Sequence, residues 1–204
     1  MEGAVPLQPR LDKAYSISKI DLMEKTSTPV GSHAPDFELP GIDDRVYHLA
    51  PYLEEFQAIG AIFMSNQCPY VRLYLDRLKQ IQDEFQSLGA TLIGINANDA
   101  LVVPVESFEQ MKSFAAESEL NFPYLRDPNQ DVARTFGASV TPEAFLLDGK
   151  GIIRYHGAID DRPNEPEAVT AHYLKDAIAR VLAGEAIPTT STEAIGSPIE
   201  FRQH

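Results

Sequence analysis

The sequence predicts one α/β domain in which helices flank a mixed β-sheet on both faces. Three observations predict it. Residues 58–64 form a short, nearly unbroken apolar run, which is typical of a strand buried on both faces. Apolar residues at helical spacing follow from Val71 to Leu88, and residues 91–95 form a second apolar run. Strand, helix and strand in this order make a βαβ unit, whose right-handed crossover leaves the two strands parallel.

The other elements are predicted from alternation, helical spacing and turn residues. They are a hairpin of residues 37–39 and 46–49, helices over 104–120, 127–137 and 169–182, an extended segment at 122–125, and a second hairpin of 144–148 and 152–156. Asp127 is the expected N-cap of the middle helix, and Pro128 is its expected first residue.

Changes in hydrophobic periodicity and the positions of turn residues divide the chain into three segments. Residues 1–30 show no sustained period and are predicted to form an N-terminal extension, an extended arm. Residues 31–184 form the predicted domain. Residues 185–204 contain Pro188 and Pro198 and are predicted to be a C-terminal coil tail.

Charge and composition exclude several functions. The chain has 204 residues and a formal net charge of −13, so its surface repels nucleic-acid phosphates and anionic lipid headgroups. No apolar run approaches the roughly 20 residues that span a bilayer. The five histidines show no ligand spacing, and a zinc site built on several thiolates is excluded by the single cysteine, so we expect no metal and no cofactor.

The single cysteine, Cys68, also bears on location. It allows no intrachain disulfide. The first residues lack a basic start followed by an apolar stretch, so no secretory signal is predicted. A lone thiol without such a signal fits a reducing compartment, and we expect a cytoplasmic protein.

Cys68 is the principal candidate for chemistry. It follows a predicted buried strand and precedes Pro69 at the start of a helix, a position where reactive sites of open α/β sheets collect. The helix dipole favours the thiolate there and lowers a cysteine pKa from about 8.5 into a range of about 3.5–7.5. We therefore expect a solvent-facing, reactive sulfur. The alternative is a buried, inert cysteine that packs as a small hydrophobe.

Two further polar clusters have competing interpretations. Asn96 and Asn98 follow the neighbouring strand and would line the same cleft, orienting a substrate or a water; the alternative is Asx-turn chemistry within a loop. Asp160 and Asp161 would form a carboxylate pair, but a solvated turn is favoured.

Short motifs in order along the chain resemble one family. The stretch from Ser65 to Val71, Ser-Asn-Gln-Cys-Pro-Tyr-Val, is similar to the motif Cys-x-x-Cys-Pro-Tyr-Val. Similar segments follow at 95–100, 122–127, 132–138, 141–142 and 155–161. Together they resemble thioredoxin-like redoxins related to the alkyl hydroperoxide reductase and thiol-specific antioxidant (AhpC/TSA) group, over about residues 29–196. The resemblance implies a thioredoxin-like fold in which Thr141 and a cis-Pro142 face Cys68.

The chain departs from this family at two thiols. Ser65 replaces the first cysteine of the motif, and Ser197 stands in Gly196-Ser197-Pro198-Ile199 where the family often has a Gly-Cys-Ser-Ile-like motif. A dithiol–disulfide cycle within one chain is therefore impossible. Ser65 and Cys68 instead resemble the Ser/Thr-x-x-Cys pattern of peroxiredoxins, in which a hydroxyl donates to the reacting thiolate, although Ala61 stands where peroxiredoxins usually have proline.

The resemblance implies a thiol-dependent oxidoreductase of the antioxidant, peroxiredoxin-related class. Cys68 would react with a peroxide or a disulfide, Ser65 would donate a hydrogen bond to it, and an external thiol would reset it. The substrate cleft would contain the side chains Pro69, Thr141, Pro142, Asn96 and Asn98. The partner would be that external thiol reductant or a protein at the cis-proline cleft. The alternative is a redox-inactive binding module that keeps the fold and binds a partner beside Pro142.

Overall fold

The computed structural model describes residues 28–202. The predicted N-terminal extension, residues 1–30, therefore lies outside the described residues except for its last three. The elements in chain order are β1 (Glu38–Pro40), β2 (Val46–His48), α1 (Leu49–Glu55), β3 (Ala58–Phe63), α2 (Pro69–Phe85), β4 (Ala90–Asn96), α3 (Phe108–Glu117), β5 (Tyr124–Arg126), α4 (Asp131–Phe136), β6 (Val140–Thr141), β7 (Glu143–Asp148), β8 (Ile153–Gly157), α5 (Tyr173–Ala183) and β9 (Ser197–Pro198).

The central sheet is mixed, as the sequence predicts. Its five strands lie in the order β5-β4-β3-β7-β8. Strands β3 and β4 are parallel and joined by α2, and β4 is parallel to β5. Strand β7 runs antiparallel to β3 and forms the predicted hairpin with β8. Every residue of β3 and β4 is buried, which is why both read as unbroken apolar runs.

Side chains of β3 alternate between two cores, one on each face of the sheet. Ile62 lies in the core formed with α2, α3 and α5, whereas Phe63 lies in the core formed with α1 and α4. The Phe63 ring meets Phe136 and Phe145 edge-on, with centroids 5.7 and 5.6 Å away. Aromatic contacts of this kind add about 0.5–1.5 kcal/mol each beyond area burial.

Three predicted helix starts are wrong. Helix α3 begins at Phe108 rather than Pro104, because Pro104–Glu106 is a separate 3₁₀ turn and the Ser107 hydroxyl caps the helix by accepting from the Gln110 amide at 3.4 Å.

Helix α4 begins at Asp131 rather than Pro128, because the buried Asp127 carboxylate reaches across the turn and accepts from the Ala133 amide at 2.9 Å. Helix α5 begins at Tyr173 rather than near residue 169, because His172 has non-helical backbone angles and the Leu174 amide donates to the Ile159 carbonyl at 3.1 Å instead of to a residue one turn earlier. In both helices, an amide that would belong to the helical ladder donates to an acceptor outside it.

The C-terminal segment is not simply a coil. Its strand β9 pairs antiparallel with β6, with Ser197 opposite Thr141 and Pro198 opposite Val140. Ile199 is buried in the core below, and its amide donates to the Ser139 carbonyl at 3.0 Å. The local pattern missed this strand because it is two residues long and needs a partner edge from elsewhere in the chain.

The N-terminal hairpin of β1 and β2 is confirmed. Among residues 28–202, no helix combines the length and apolar character needed to cross a bilayer.

Candidate thiol site

Cys68 is the N-cap of α2, one turn beyond the carboxyl end of β3, and Pro69 is the first helical residue. The predicted placement at a helix start is confirmed. The predicted exposure is wrong, since only 1% of the residue is accessible. The reason is tertiary: Cys68 packs in the core, and β9 pairs with β6 beside it, which places Ser197 against the sulfur and helps to cover it.

Polar atoms surround the buried sulfur. The thiol lies 2.9 Å from the Thr141 carbonyl oxygen, to which it donates, and 3.3 Å from the Ser197 hydroxyl oxygen. Burial by itself raises the pKa of Cys68. The hydroxyls of Ser197 and Thr141, with the nearby backbone N–H groups of Val71 and Ser197, outweigh burial and hold the pKa below its ordinary value. The sulfur is therefore buried at the edge of a hydrophobic core and has polar partners.

The Thr141 hydroxyl is able to donate a hydrogen bond that it does not use within the described residues. It is buried, and no partner for it is found within residues 28–202. A hydroxyl that donates to no oxygen is free to turn its proton toward a negative sulfur beside it. The Thr141–Pro142 peptide bond is cis, as the resemblance implies, and Thr141 faces Cys68.

Ser65 does not contact the sulfur in the expected way. Its hydroxyl donates to the Glu106 carboxylate at 2.6 Å and accepts from the Cys68 amide at 3.1 Å. Because its single proton is directed to a carboxylate, Ser65 holds the backbone of the turn rather than stabilising a thiolate.

Glu106 is a central residue of the site that the sequence did not reveal. It is fully buried and accepts from the Ser65 hydroxyl, the amides of Asn66 and Gln67 at 2.9 and 3.2 Å, and Asn96 Nδ2 at 2.7 Å. Together these bonds fix the turn between β3 and Cys68. Its only local signal is an acidic residue in a 3₁₀ turn, Pro104–Glu106, which does not indicate an inward direction.

Asn96 and Asn98 lie inside the protein rather than along a surface cleft. Asn96 donates to Glu106 and to the Tyr124 hydroxyl, and its Oδ1 accepts from the Asn98 amide at 3.0 Å, which is an Asx turn. Asn98 Oδ1 accepts from the Glu200 amide at 2.8 Å. The first asparagine therefore supports the thiol turn, and the second anchors the C-terminal segment.

The aspartate pair divides into two roles. Asp160 is buried, pairs with Arg77 and accepts from the Tyr74 hydroxyl at 3.0 Å, so the expected solvated turn is wrong for this residue. Asp161 accepts from the hydroxyl and amide of Thr170, which with the Ala171 amide lowers its pKa to about 2. Within residues 28–202, no group of three or more His, Cys, Asp or Glu side chains is placed to hold a metal ion.

The fold and the site define a thioredoxin-fold protein built around one thiol. The chain belongs to the AhpC/TSA family, whose model matches residues 30–156. It is 24% identical over 140 residues to the thiol-disulfide oxidoreductase ResA of Geobacillus thermodenitrificans, covering 69% of this chain and 75% of that protein.

Solved structures share the fold. A hypothetical protein from Sinorhizobium meliloti is 34% identical, with a TM-score of 0.81 over 87% of this chain and 97% of that one. A thiol:disulfide interchange protein of the thioredoxin family from Chlorobium tepidum, 18% identical, has a TM-score of 0.58 over 76% and 99% of the two chains. The predicted thioredoxin-like fold is confirmed, and the chain belongs among thiol-disulfide oxidoreductase-like proteins of that fold.

Proposed function

We propose that the protein is a monothiol oxidoreductase in which the Cys68 thiolate reacts with a peroxide or a disulfide and is reset by an external thiol. One observation carries this proposal: the sulfur lies at the start of α2 with hydroxyl and amide donors around it, and its pKa is lowered despite burial. The thiolate is the nucleophilic form of cysteine, so the same donors that shift the pKa prepare the sulfur to react.

With a peroxide, the sulfur attacks one oxygen of the O–O bond. An S–O bond forms as the O–O bond breaks, and the departing oxygen takes a proton and leaves as water or an alcohol. Cys68 becomes a sulfenic acid, oxidised by two electrons, while the peroxide is reduced. With a disulfide, the sulfur attacks one S–S atom, forms a mixed disulfide and releases the other sulfur as a thiolate.

The reset step requires a thiol from outside the chain. Cys68 is the single cysteine, and serines stand at positions 65 and 197. One external thiol condenses with the sulfenic acid, releasing water and giving a mixed disulfide. A second attacks that disulfide and releases Cys68 as a thiolate with an oxidised external disulfide. We propose such a small thiol or dithiol protein as the partner, and a reducing compartment, the cytoplasm, as the location that supplies it.

A redox-inactive binding module is the second candidate. The absence of both further thiols favours it, as does a cavity of about 210 Å³ beside Pro142, lined in part by Tyr74, Tyr173 and Ile195. In this alternative, the cavity binds a partner group and Cys68 does not turn over.

The two candidates are separated by the chemistry of the thiol. The rate of Cys68 alkylation by iodoacetamide is measured against pH, and peroxide consumption is measured with an external thiol present, using Cys68→Ser as the control. The oxidoreductase predicts alkylation that stays fast below the ordinary cysteine pKa and peroxide turnover that the control lacks. Alkylation with the pH profile of free cysteine, without turnover, would leave the binding module. Reduction of insulin disulfides without an added thiol would contradict the monothiol cycle.

A further inference from the structure

The strand that helps to cover Cys68 also supplies part of its surroundings. Strand β9 pairs with β6, the short edge that carries Thr141 next to cis-Pro142. Ser197, opposite Thr141, lies with its hydroxyl oxygen 3.3 Å from the sulfur, and both its hydroxyl and its amide lower the pKa of Cys68. One segment therefore helps to close the site and to ionise the thiol.

The segment that carries Ser197 packs closely against the backbone of Thr141. A Cβ on Gly196 would lie 2.2 Å from the Thr141 carbonyl oxygen, so only glycine allows the strand to pack here. Beyond β9, the Glu200 carbonyl accepts from the Asp99 amide at 2.9 Å and from Gln130 Nε2 at 2.8 Å. Arg202 adds an ion pair with Asp99 at 3.2 Å. The segment is therefore anchored on the C-terminal side of Ser197.

Strand β9 occupies the place where an extended polypeptide would add. An open strand edge binds such peptides by main-chain hydrogen bonds, and the edge at Val140–Thr141 is already paired. A polypeptide disulfide would reach the sulfur only after β9 leaves, and its departure removes the Ser197 donors. A small oxidant needs no strand edge, so β9 can stay paired with β6 and keep the Ser197 donors at the thiol. Because the sulfur is only 1% accessible, the oxidant reaches it when the side chains around the thiol move.

We propose that Ser197 is a catalytic residue that donates to the Cys68 thiolate, and that β9 restricts the site to small oxidants such as hydroperoxides over polypeptide disulfides. The proposal rests on the proposed monothiol function and goes beyond it by naming the substrate class. During the attack on a peroxide, the Ser197 hydroxyl stabilises the negative sulfur by donating a hydrogen bond to it. This hydrogen bond is kept until the S–O bond has formed.

The hydroxyl is tested with Ser197→Ala, the rescue variant Ser197→Thr and the matched control Ser191→Ala. Ser191 is an exposed serine of the same tail whose hydroxyl contacts His156 instead of the sulfur. We expect the alkylation profile of Ser197→Ala to move to higher pH, with a fall of about threefold to tenfold in rate below the midpoint. Ser197→Thr and Ser191→Ala should keep the profile of the unaltered protein. An unshifted Ser197→Ala profile would overturn the role of Ser197.

The strand is tested with Gly196→Ala, which pushes β9 off the edge and leaves the hydroxyl in the chain. Rates are measured with hydrogen peroxide and with a disulfide-linked peptide. We expect the rate with hydrogen peroxide to fall and the rate with the peptide disulfide to rise, each by about threefold or more. The circular dichroism spectrum and the melting temperature of the variant show whether it is still folded. A peptide rate that does not rise in the folded variant would overturn the restriction.

The failure of this inference is distinguishable from failure of the proposed function. If the unaltered protein reacts with peroxide, and Ser197→Ala and Gly196→Ala react as it does, only the inference fails. If the unaltered protein does not react and its thiol titrates like free cysteine, the monothiol function fails and the inference fails with it.

Discussion

The Ser65 hydroxyl donates a hydrogen bond of 2.6 Å to Glu106, which lies 41 residues further along the chain. Ser65 also accepts from the Cys68 amide, so a buried carboxylate acts on the thiol turn through a serine. Glu106 does not touch the sulfur and is a positioning residue. The bond links the end of β3 to the segment that follows β4, across the two parallel strands that define the site.

Replacing Glu106 tests whether the turn between β3 and Cys68 depends on the buried carboxylate. In Glu106→Gln, the new amide N–H₂ group faces donors that need an acceptor, so we expect a loss of about 1–3 kcal/mol in the free energy of unfolding. Urea denaturation measures it. Glu109→Gln, an exposed glutamate on α3, is the control and should change stability by less than about 0.5 kcal/mol. Equal stability of the two variants would show that the turn does not depend on the carboxylate.

Replacing Ser197 by cysteine should restore a thiol pair. Because the Ser197 oxygen is 3.3 Å from the sulfur, we expect Ser197→Cys to form a 68–197 disulfide after peroxide treatment. The sulfenic acid on Cys68 would condense with the new thiol and release water. Peptide mass spectrometry detects the bond. Ser191→Cys, exposed and remote from the sulfur, should give no such intrachain product; its appearance there would argue for a mobile tail.

The lowered pKa of Cys68 links ionisation to stability. A group whose pKa is lower in the folded protein stabilises the fold above its unfolded pKa, and that contribution is lost as the pH falls through the folded pKa. We therefore expect the unfolding free energy of the protein minus that of Cys68→Ser to increase with pH, up to the ordinary cysteine range. Urea denaturation at a series of pH values under reductant measures the difference. A difference that is flat or falls with pH would contradict an ionised native thiol.

Glu143 should stabilise the cis-proline turn in a pH-dependent way. Burial raises its pKa, but the bond to His156 and the amides of Ser139 and Val140 lower it more, so the net shift is downward. Its contribution is thus present above the ordinary glutamate pKa and disappears as the pH falls through the folded value. We expect Glu143→Gln to lose about 1–3 kcal/mol at neutral pH and progressively less in acid.

Denaturation at neutral and acidic pH measures the Glu143 effect, with the exposed Glu193→Gln as its matched control. The control should follow the unaltered protein at both pH values. A Glu143→Gln deficit that is the same size in acid would assign the effect to packing instead of to the ionised carboxylate.

Short-range patterns predicted most of the fold. Strands β3 and β4 and helix α2 have periodicities that depend only on neighbouring residues and on two-sided burial. Predicted helix starts failed where an amide donates outside the helix, as Ala133 does to Asp127 and Leu174 does to Ile159, since such bonds depend on turns that no periodicity encodes.

The candidate site was predicted only in part for the same reason. Cys68 and cis-Pro142 were found from motifs along the chain. Ser65 was assigned to the sulfur because of its spacing, but the nearby Glu106 takes its proton. Glu106 itself carries no local signal, because its burial is decided by the packing of the segment after β4.

The sequence by itself determined that a single thiol follows a buried strand at the start of a helix, because that placement depends on residues adjacent in the chain. The tertiary structure alone decided what surrounds the sulfur. Thr141 and Ser197 contact it from 73 and 129 residues away. Such contacts arise from sheet crossovers and from the pairing of β9 with β6. Their stabilising free energy is gained only when the chain has folded, so no local pattern in the sequence encodes them.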